Sequence, residues 1–332
     1  MIKNGTNGND TLMGTDLSDT IRGLSGDDTI YGKGGPDGLY GGPGNDRIWA
    51  GAGVDALFGE LGNDKLYGEA GDDWISGGAG NDFLQGGSGD DRLRGDDGDD
   101  HLDGSIGNND LAGGAGNDVL YYTDTALPVP VNSVGFSTFD GGSGIDTLKL
   151  DVSGIFDVGG DLHGVLGVFQ GADGSGNITY STDPFEGSEI RVGSFKGIER
   201  FELSDDCNRL DFATDAAVTV VGGNGDDVMT GRDNDQTFIG GGGADLFIFR
   251  FFDGETNAGD DVINGFSAAE GDRISFNVIA DPDGGTNPFN IVQTEANGVT
   301  TFTSTDIDTG EVVHTLRVDA VGLPPDESFF IG

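Results

Sequence analysis

Cysteine and positive charge are scarce in this chain. Cys207 is the single cysteine, so no disulfide can form within the chain, and we expect a small side chain in a strand there. Lysine and arginine together number 16 against 59 acidic residues, which gives a formal net charge of -43. Because such a surface repels phosphate groups, the composition argues against nucleic acid as a partner.

Long apolar runs are absent too. No stretch of about 18 apolar residues exists, so we predict no membrane-spanning helix. The first residues, MIKNGTNGND, lack the apolar core of a secretory signal peptide. The sequence therefore predicts a protein that is either cytosolic or exported without an N-terminal signal.

The common catalytic motifs are missing. The chain has no HExxH, no G-x-S-x-G and no EF-hand loop. Its three histidines, His101, His163 and His314, stand outside any catalytic spacing, and we interpret each as an ordinary surface or strand residue. We predict that the protein is not an enzyme. The alternative is an unrecognised active site in residues 122–221.

Glycine, by contrast, fills 64 of the 332 positions and follows a strict period. Residues 5–121 divide into thirteen consecutive nonapeptides without an insertion. Position eight is Leu or Ile in all thirteen, and position six is Asp in twelve, with Asn109 the exception. Glycine fills positions one and four in twelve repeats each, Ala50 and Leu17 being the departures. Such regularity predicts a repeat architecture rather than a globular core.

The repeat predicts an all-β fold, a parallel β-roll. The glycines permit turns, and residues seven to nine form a short strand with position eight pointing inward. Two nonapeptides make one coil, so residues eighteen apart stack about 4.8 Å from each other. The position-six aspartates then form two ladders, one on each edge of the roll.

Repeated carboxylates at that spacing repel each other, and one Leu or Ile per repeat buries too little apolar surface to compensate. Divalent cations between successive turns would supply the missing stabilisation, with aspartates and turn carbonyls as ligands. Seven turns on one edge leave six gaps and six turns on the other leave five, hence at most about eleven Ca²⁺ ions. The predicted ligands of this block are Asp10, Asp19, Asp28, Asp37, Asp46, Asp55, Asp64, Asp73, Asp82, Asp91, Asp100 and Asp118.

The tandem pattern GGxGxDxUx resembles the repeat of the RTX (repeats-in-toxin), hemolysin-type calcium-binding proteins. This resemblance implies a parallel β-roll, Ca²⁺ bound by the position-six aspartates, and export from Gram-negative bacteria by type I secretion machinery. Leu17 and Asn109 depart from the family pattern. We expect the calcium sites beside those two turns to be weaker or empty.

The repeats continue less regularly after residue 121. A single repeat, GGSGIDTLK, returns at 141–149 and adds Asp146 as a predicted ligand within the irregular β-rich region 122–221. That region forms either further coils or a β insertion. A second block spans 222–248, where Asp227 and Asp245 lie eighteen apart and could share at least one ion, while Gln236 replaces the aspartate between them.

The C-terminal region 249–332 resembles the secretion domain of serralysin-type RTX proteins. The residues that match its D-x-I-x-x-F and G-D-x-I patterns are Asp261, Ile263, Phe266, Gly271, Asp272 and Ile274, whereas Gly265 stands where an aspartate is usual. Residues 289–318 alternate like antiparallel strands, with turns near Asn297-Gly298 and Thr309-Gly310, and predict a β cap. The last residues, ESFFIG, are similar to the family's uncleaved C-terminal export signal.

Outward-facing aromatic and basic residues recur on one predicted sheet. They are Tyr31, Trp49 and Tyr67, with Arg47 and Lys65 beside them. One interpretation is a cross-strand aromatic ladder that stabilises the sheet. The other is a platform for an acidic polysaccharide.

Together these features predict a secreted, extracellular calcium-binding protein whose folding is driven by Ca²⁺ and which acts in a structural, cell-surface or matrix role. Polysaccharide binding is the alternative.

Overall fold

The structure, a computed structural model, contains β-strands and turns and no helix among the residues that it describes. Consequently no helix in the described segments is long and apolar enough to cross a membrane. The described residues are 1–123, 136–151, 165–170, 175–181, 190–203, 210–214, 217–231, 235–252, 259–279, 289–297, 299–306 and 312–319. They form two compact units, Met1–Val158 with Arg191–Ile198, and Gly159–Ile190 with Glu199–Gly332.

The first unit has two parallel sheets, which alternate strand by strand along the chain. The front sheet contains, in spatial order, β2 (Thr11–Met13), β4 (Thr29–Gly34), β6 (Arg47–Ala52), β8 (Lys65–Ala70), β10 (Phe83–Ser88), β12 (His101–Ile106), β14 (Val119–Thr123) and β16 (Thr147–Asp151). The back sheet contains β1 (Ile2–Asn4), β3 (Thr20–Arg22), β5 (Gly38–Pro43), β7 (Ala56–Leu61), β9 (Trp74–Ala79), β11 (Arg92–Asp97), β13 (Asp110–Ala115), β15 (Ser137–Ser143) and β19 (Ile190–Lys196).

The strand register confirms the predicted coil of two nonapeptides. In the front sheet Leu66 pairs with Leu84 and Leu84 with Leu102, so each residue lies beside the residue eighteen positions along. Every position-eight side chain of the thirteen repeats is buried, from Leu12 at 5% exposure to Leu84 at 0%. The two sheets therefore enclose a single column of Leu and Ile side chains, which is the fold class that the repeat predicts.

The strands are longer than predicted. From β4 to β13 each spans six residues, from position seven through position three of the next repeat, rather than positions seven to nine. Position two has a positive φ in these strands, 108° at Gly78, where an added Cβ would lie 2.2 Å from the carbonyl oxygen of Glu60. Residues other than glycine adopt the same conformation at this position, namely Leu24, Lys33, Glu60, Glu69, Asp96 and Ser105.

The roll continues past residue 123 in the same register. Thr147 pairs with Val119 across β16 and β14, and Thr138 pairs with Asp110 across β15 and β13. Partners here are 28 residues apart instead of eighteen, so the extra residues leave the stacking unchanged. The isolated repeat at 141–149 thus belongs to the roll. The sequence alone did not decide whether this repeat continues the roll.

The second unit also contains two sheets. One has the order β18 (Gly176–Ser181), β17 (Val165–Gln170), β21 (Leu210–Thr214), β23 (Val228–Gly231), β25 (Leu246–Phe252) and β27 (Arg273–Ile279). The other has the order β20 (Arg200–Leu203), β22 (Val218–Val221), β24 (Gln236–Ile239), β26 (Asp260–Asn264), β30 (Val312–Val318), β29 (Val299–Asp306) and β28 (Phe289–Ala296). Its core is aromatic, with Phe201, Phe238, Phe247 and Phe249 almost fully buried.

The predicted antiparallel cap is confirmed. Strands β28, β29 and β30 pair antiparallel, and β30 joins the parallel part of its sheet beside β26. Asn297 turns between β28 and β29 with a φ of 54°. In the middle region β17 and β18 form an antiparallel pair, while β20 and β22 are parallel neighbours. Cys207, His163, the predicted turn at Thr309-Gly310 and the segment ESFFIG lie outside the described residues.

Candidate metal centre

The position-six aspartates of the front turns form one continuous ladder, the front ladder. The backbone N–H of Asp82 donates to Oδ1 of Asp100 at 2.8 Å, and the same bond recurs at every step with distances of 2.7 or 2.8 Å. The members are Asp10, Asp28, Asp46, Asp64, Asp82, Asp100, Asp118 and Asp146. Asp146, predicted from the isolated repeat, therefore continues the same row.

A second row, the back ladder, follows the turns on the other edge. Its members are Asp19, Asp37, Asp55, Asp73, Asp91 and Asn109, joined by bonds of 2.7–2.9 Å. Asn109 keeps the Oδ1 acceptor for the N–H of Asp91, but its Nδ2 donates to the carbonyl of Ser105 at 3.3 Å. An amide group thus replaces the second carboxylate oxygen, and the row ends at Ser137, whose hydroxyl accepts the N–H of Asn109 at 3.1 Å.

The second carboxylate oxygen, Oδ2, is the unusual feature of both ladders. In ten aspartates of the described roll it is buried and has no hydrogen-bond partner. They are Asp28, Asp37, Asp46, Asp55, Asp64, Asp73, Asp82, Asp91, Asp100 and Asp118. A buried acceptor without a donor is costly, and a buried charge without a partner is more so. These oxygens are therefore placed to accept a cation or a proton.

The glycine at position one opens the space that faces this oxygen. A Cβ added to Gly59 would lie 2.3 Å from Oδ2 of Asp64 and 2.5 Å from the carbonyl oxygen of Gly77. A carboxylate oxygen of one turn and a carbonyl oxygen of the next coil thus converge on the same small space. Only glycine leaves that space open.

Burial raises the pKa of these carboxyl groups. Removal from water is the largest cause of each raised pKa, and the N–H bond to Oδ1 opposes it only in part. The pKa is raised to about 7 at Asp46, Asp73, Asp82 and Asp118, and to about 6 at Asp37, Asp64, Asp91 and Asp100.

The first two turns are built differently. At Asp10 the backbone N–H and the hydroxyl of Thr6 both donate to Oδ2, at 2.6 and 2.8 Å, and these bonds lower the pKa of Asp10. Thr15 makes the equivalent bonds to Asp19 at 2.6 and 2.9 Å. Asp10 and Asp19, both predicted ligands, therefore lie in their ladders. Unlike the later aspartates, each has hydrogen-bond donors at Oδ2. The weaker sites expected beside Leu17 and Asn109 stay a prediction.

A further row of polar residues was not predicted. At position five, next to the front aspartates, the side chain is Asn or Asp. Its oxygen accepts the backbone N–H of the position-five residue eighteen positions further along the chain, as Oδ1 of Asn63 does from Asn81 at 2.9 Å. Its members are Asn9, Asp27, Asn45, Asn63, Asp99, Asn81 and Asn117. The recurring dipeptides Asn-Asp and Asp-Asp are the sequence signal that could have revealed it.

The second repeat block has a short ladder of its own. Asp227 donates its N–H to Oδ1 of Asp245, and Asp245 donates to Oδ1 of Asp272, both at 3.0 Å. The structure thus brings together Asp227 and Asp245, as their spacing predicts. It adds Asp272, whose Oδ2 accepts the N–H of Ser267 at 2.8 Å.

The oxygen donors of the roll suit a hard divalent cation. Calcium takes 6–8 oxygen ligands at about 2.3–2.6 Å, from carboxylates and backbone carbonyls alike. In the described part of the chain no three His, Cys, Asp or Glu side chains converge in one place. A cation here would consequently depend on carbonyl oxygens in addition to the aspartates, as the sequence predicts.

The outward aromatic residues of the front sheet form a stacked row. Trp49 lies between Tyr31 at 5.1 Å and Tyr67 at 5.3 Å, measured between ring centroids, with interplanar angles of 12° and 8°. Phe83, His101 and Tyr121 extend the row across the next strands. The faces of the Trp49 indole therefore point along the roll toward its neighbours. This geometry is the cross-strand ladder that the sequence allows.

The two predicted basic residues of the platform are neighbours. Arg47 and Lys65 lie directly opposite each other on β6 and β8, and both are exposed. No carboxylate in the described residues forms an ion pair with either of them. On the back sheet, by comparison, Asp110 pairs with both Arg92 and Arg94, at 3.1 and 3.0 Å.

Comparison with known families identifies the repeat. A family model of the RTX calcium-binding nonapeptide repeat matches residues 4–39, 31–66, 55–84, 67–102, 85–120 and 219–247. The chain carries RTX-type calcium-binding repeats. The matches cover both blocks in which carboxylate ladders are seen, and repeats of this type imply Ca²⁺ binding. Curated proteins gave no match.

Proposed function

We propose that this RTX protein is exported and that extracellular Ca²⁺ drives the folding of its roll. The ten buried Oδ2 atoms without donors carry this proposal, because a folded roll that holds them as bare charges is strongly disfavoured. A bound Ca²⁺ supplies the positive charge that these oxygens lack. Folding and metal binding then become one equilibrium.

Each Ca²⁺ ion would take its ligands from two successive turns. The position-six aspartates would contribute Oδ2, and the position-one residues would contribute carbonyl oxygens from the neighbouring coil. With one ion per gap, the first block would hold at most about eleven ions and the second block at least one. Because each coil contacts only its neighbours, order would spread along the roll from coil to coil.

The acidic composition supports export before folding. At low cytosolic Ca²⁺ the net charge of -43 keeps the chain extended, which suits passage through type I secretion machinery of a Gram-negative bacterium.

Of the residues that resemble the secretion domain, Ile263 and Ile274 are buried core side chains of the second unit. We propose an extracellular, structural or cell-surface and matrix role without catalysis.

Circular dichroism of the full chain tests the folding step. We expect little strand signal in chelator and a cooperative rise on titration to about 5–10 mM Ca²⁺, the range of weak extracellular sites. Mg²⁺ at the same concentration is the control, since it prefers six ligands at shorter distances and should not restore the signal. Equal strand content in chelator and in Ca²⁺ would refute the proposal.

Binding of an acidic polysaccharide is the second candidate. Arg47 and Lys65 favour it, because like charges directly opposite each other on neighbouring strands destabilise a sheet unless an anion lies beside them. The stacked faces of Trp49 are covered, so cation contacts rather than ring stacking would dominate. Alginate binding that is unchanged in the variant Arg47→Ser with Lys65→Ser would argue against this candidate, and Arg92→Ser is the matched control.

A further inference from the structure

The turn before strand β26 follows the repeat pattern at positions four, five, six and eight, although Thr256 and Asn257 stand in place of the first two glycines. Asp260 and Asp261 occupy positions five and six, and Ile263, at position eight, is fully buried. The N–H of Asp260 donates to Oδ1 of Asp235 at 2.9 Å, and Oδ1 of Asp261 accepts the N–H of Gln236 at 2.8 Å. Asp261 is therefore bound to its neighbouring coil in the same way as the ladder aspartates.

The second oxygen of Asp261 has a different environment from theirs. Oδ2 of Asp261 lies 2.9 Å from Nε2 of His314, and the two side chains are 1% and 2% exposed. His314 is on β30, the cap strand that pairs with β26, and its ring packs 5.6 Å from that of Phe249. The cap strand thus places Nε2 of His314 beside Oδ2 of Asp261, whereas in ten other aspartates Oδ2 has no donor.

The neighbouring coil removes a carboxylate from the same site. Gln236 occupies position six there, so the pair Gln236–Asp261 has one carboxylate where a ladder pair such as Asp82–Asp100 has two. A neutral amide attracts a divalent cation less than a carboxylate does. The nitrogen of His314 and the amide of Gln236 therefore both disfavour metal binding at this turn.

We propose that His314 keeps Ca²⁺ out of the turn before β26, because its Nε2 takes the place at Asp261 that a calcium ion would otherwise take. This inference rests on the proposed function. It assigns His314 as a residue that determines which turns bind Ca²⁺, and it makes the junction of β26 with the cap a part of the fold that no ion stabilises. The serralysin-like residue Asp261 then has a structural role in this chain.

Calcium counting on the full-length protein tests the proposal. Asp261→Asn keeps an oxygen for Gln236 and removes the charge, as Asp100→Asn does in the front ladder, so the two variants are matched. With bound Ca²⁺ measured by equilibrium dialysis, we expect Asp261→Asn to hold as many ions as the unchanged protein and Asp100→Asn to hold fewer. Loss of an ion in Asp261→Asn would overturn the proposal for His314. No loss in Asp100→Asn would instead overturn the proposed function.

The protonation of the ring gives a readout that does not depend on metal counting. The proposal requires Asp261 to be ionised, and since an ionised carboxylate only accepts hydrogen bonds, Nε2 of His314 must then carry the proton of this contact. In ¹⁵N NMR of the calcium-saturated protein, with the signal assigned by His314→Gln, we expect a protonated Nε2. An Nε2 without a proton would contradict the proposal, even if the variant Asp261→Asn failed to fold.

Discussion

The N–H of Asp82 donates to one oxygen of Asp100 at 2.8 Å and leaves the other oxygen buried without a donor. The first contact fixes the register between coils, because it joins residues eighteen apart at every turn. Under the proposed function, the second oxygen makes the folded coil depend on a cation. The same side chain would then provide both the geometry of the roll and its requirement for metal.

Replacing that second oxygen tests its role. Asp100→Asn keeps Oδ1 for the N–H of Asp82 and changes Oδ2 to an amide, as nature does at Asn109. We expect the Ca²⁺ concentration at the folding midpoint to rise, because the variant lacks one carboxylate of two adjacent sites. Strand signal during a Ca²⁺ titration gives the midpoint.

The reverse change provides the matched test. Asn109→Asp restores an oxygen at the end of the back ladder, next to Asp91. We expect this variant to bind at least as many ions as the unchanged protein and to fold at lower Ca²⁺. A higher midpoint in Asn109→Asp would show that the amide, and not the carboxylate, suits this turn.

The pH dependence of folding follows from the raised pKa values. Burial raises the pKa of Asp82 to about 7 and that of Asp64 to about 6, against about 4 in an unfolded chain. Since the folded state then holds protons that the unfolded state has lost, the metal-free roll loses stability as the pH rises from about 4 to about 7.

In a roll that is already folded, Ca²⁺ must displace those protons, whereas an unfolded chain has lost them above about pH 5. Because we propose that folding and binding are one equilibrium, we expect little proton release and a Ca²⁺ midpoint that is nearly constant between about pH 6 and 8 and rises below about pH 5. Calorimetry in two buffers of different ionisation enthalpy measures the proton release. Proton release together with a midpoint that falls steeply between about pH 5 and 7 would indicate that Ca²⁺ binds to a roll that is already folded.

The aromatic row should contribute to stability. Trp49 stacks on two rings, and each such pair contributes about 0.5–1.5 kcal/mol beyond its buried area. We therefore expect Trp49→Ala to lower the free energy of unfolding in saturating Ca²⁺ by more than the contribution of one pair. Trp74, which is 51% exposed and lies under Arg92 instead of in a stacked row, is the control. Equal losses in Trp49→Ala and Trp74→Ala, measured by urea unfolding, would argue against a stabilising row.

The inner column of aliphatic side chains gives the largest expected effect. Leu84 is fully buried, and Leu84→Ala should lower the free energy of unfolding by about 2–5 kcal/mol. Leu17, a position-four leucine that is 74% exposed, should tolerate alanine with almost no change. Urea unfolding at saturating Ca²⁺ measures both variants, and a small loss in Leu84→Ala would imply that the neighbouring coils collapse into the cavity.

Much of the roll could be predicted because its period is local. The inward direction of Leu84 and the stacking of Asp82 on Asp100 follow from a repeat of nine residues and two repeats per coil. Strand length was less predictable, since whether strands pass through the glycines depends on the backbone bonds between coils. The polar row at position five, with Asn63 and Asn81, went unpredicted because only the folded turn shows which atom that side chain faces.

The sequence by itself determined the period, the inward and outward faces, the two ladders and the metal class, because each depends only on spacing and residue type. The tertiary structure decided which of those equivalent aspartates have a hydrogen-bond donor at the second oxygen. Thr6 satisfies Asp10 from within its own turn, whereas His314 reaches Asp261 from 53 residues away. A repeat pattern contains no information about such distant donors, since the contact exists only once the cap strand lies beside β26.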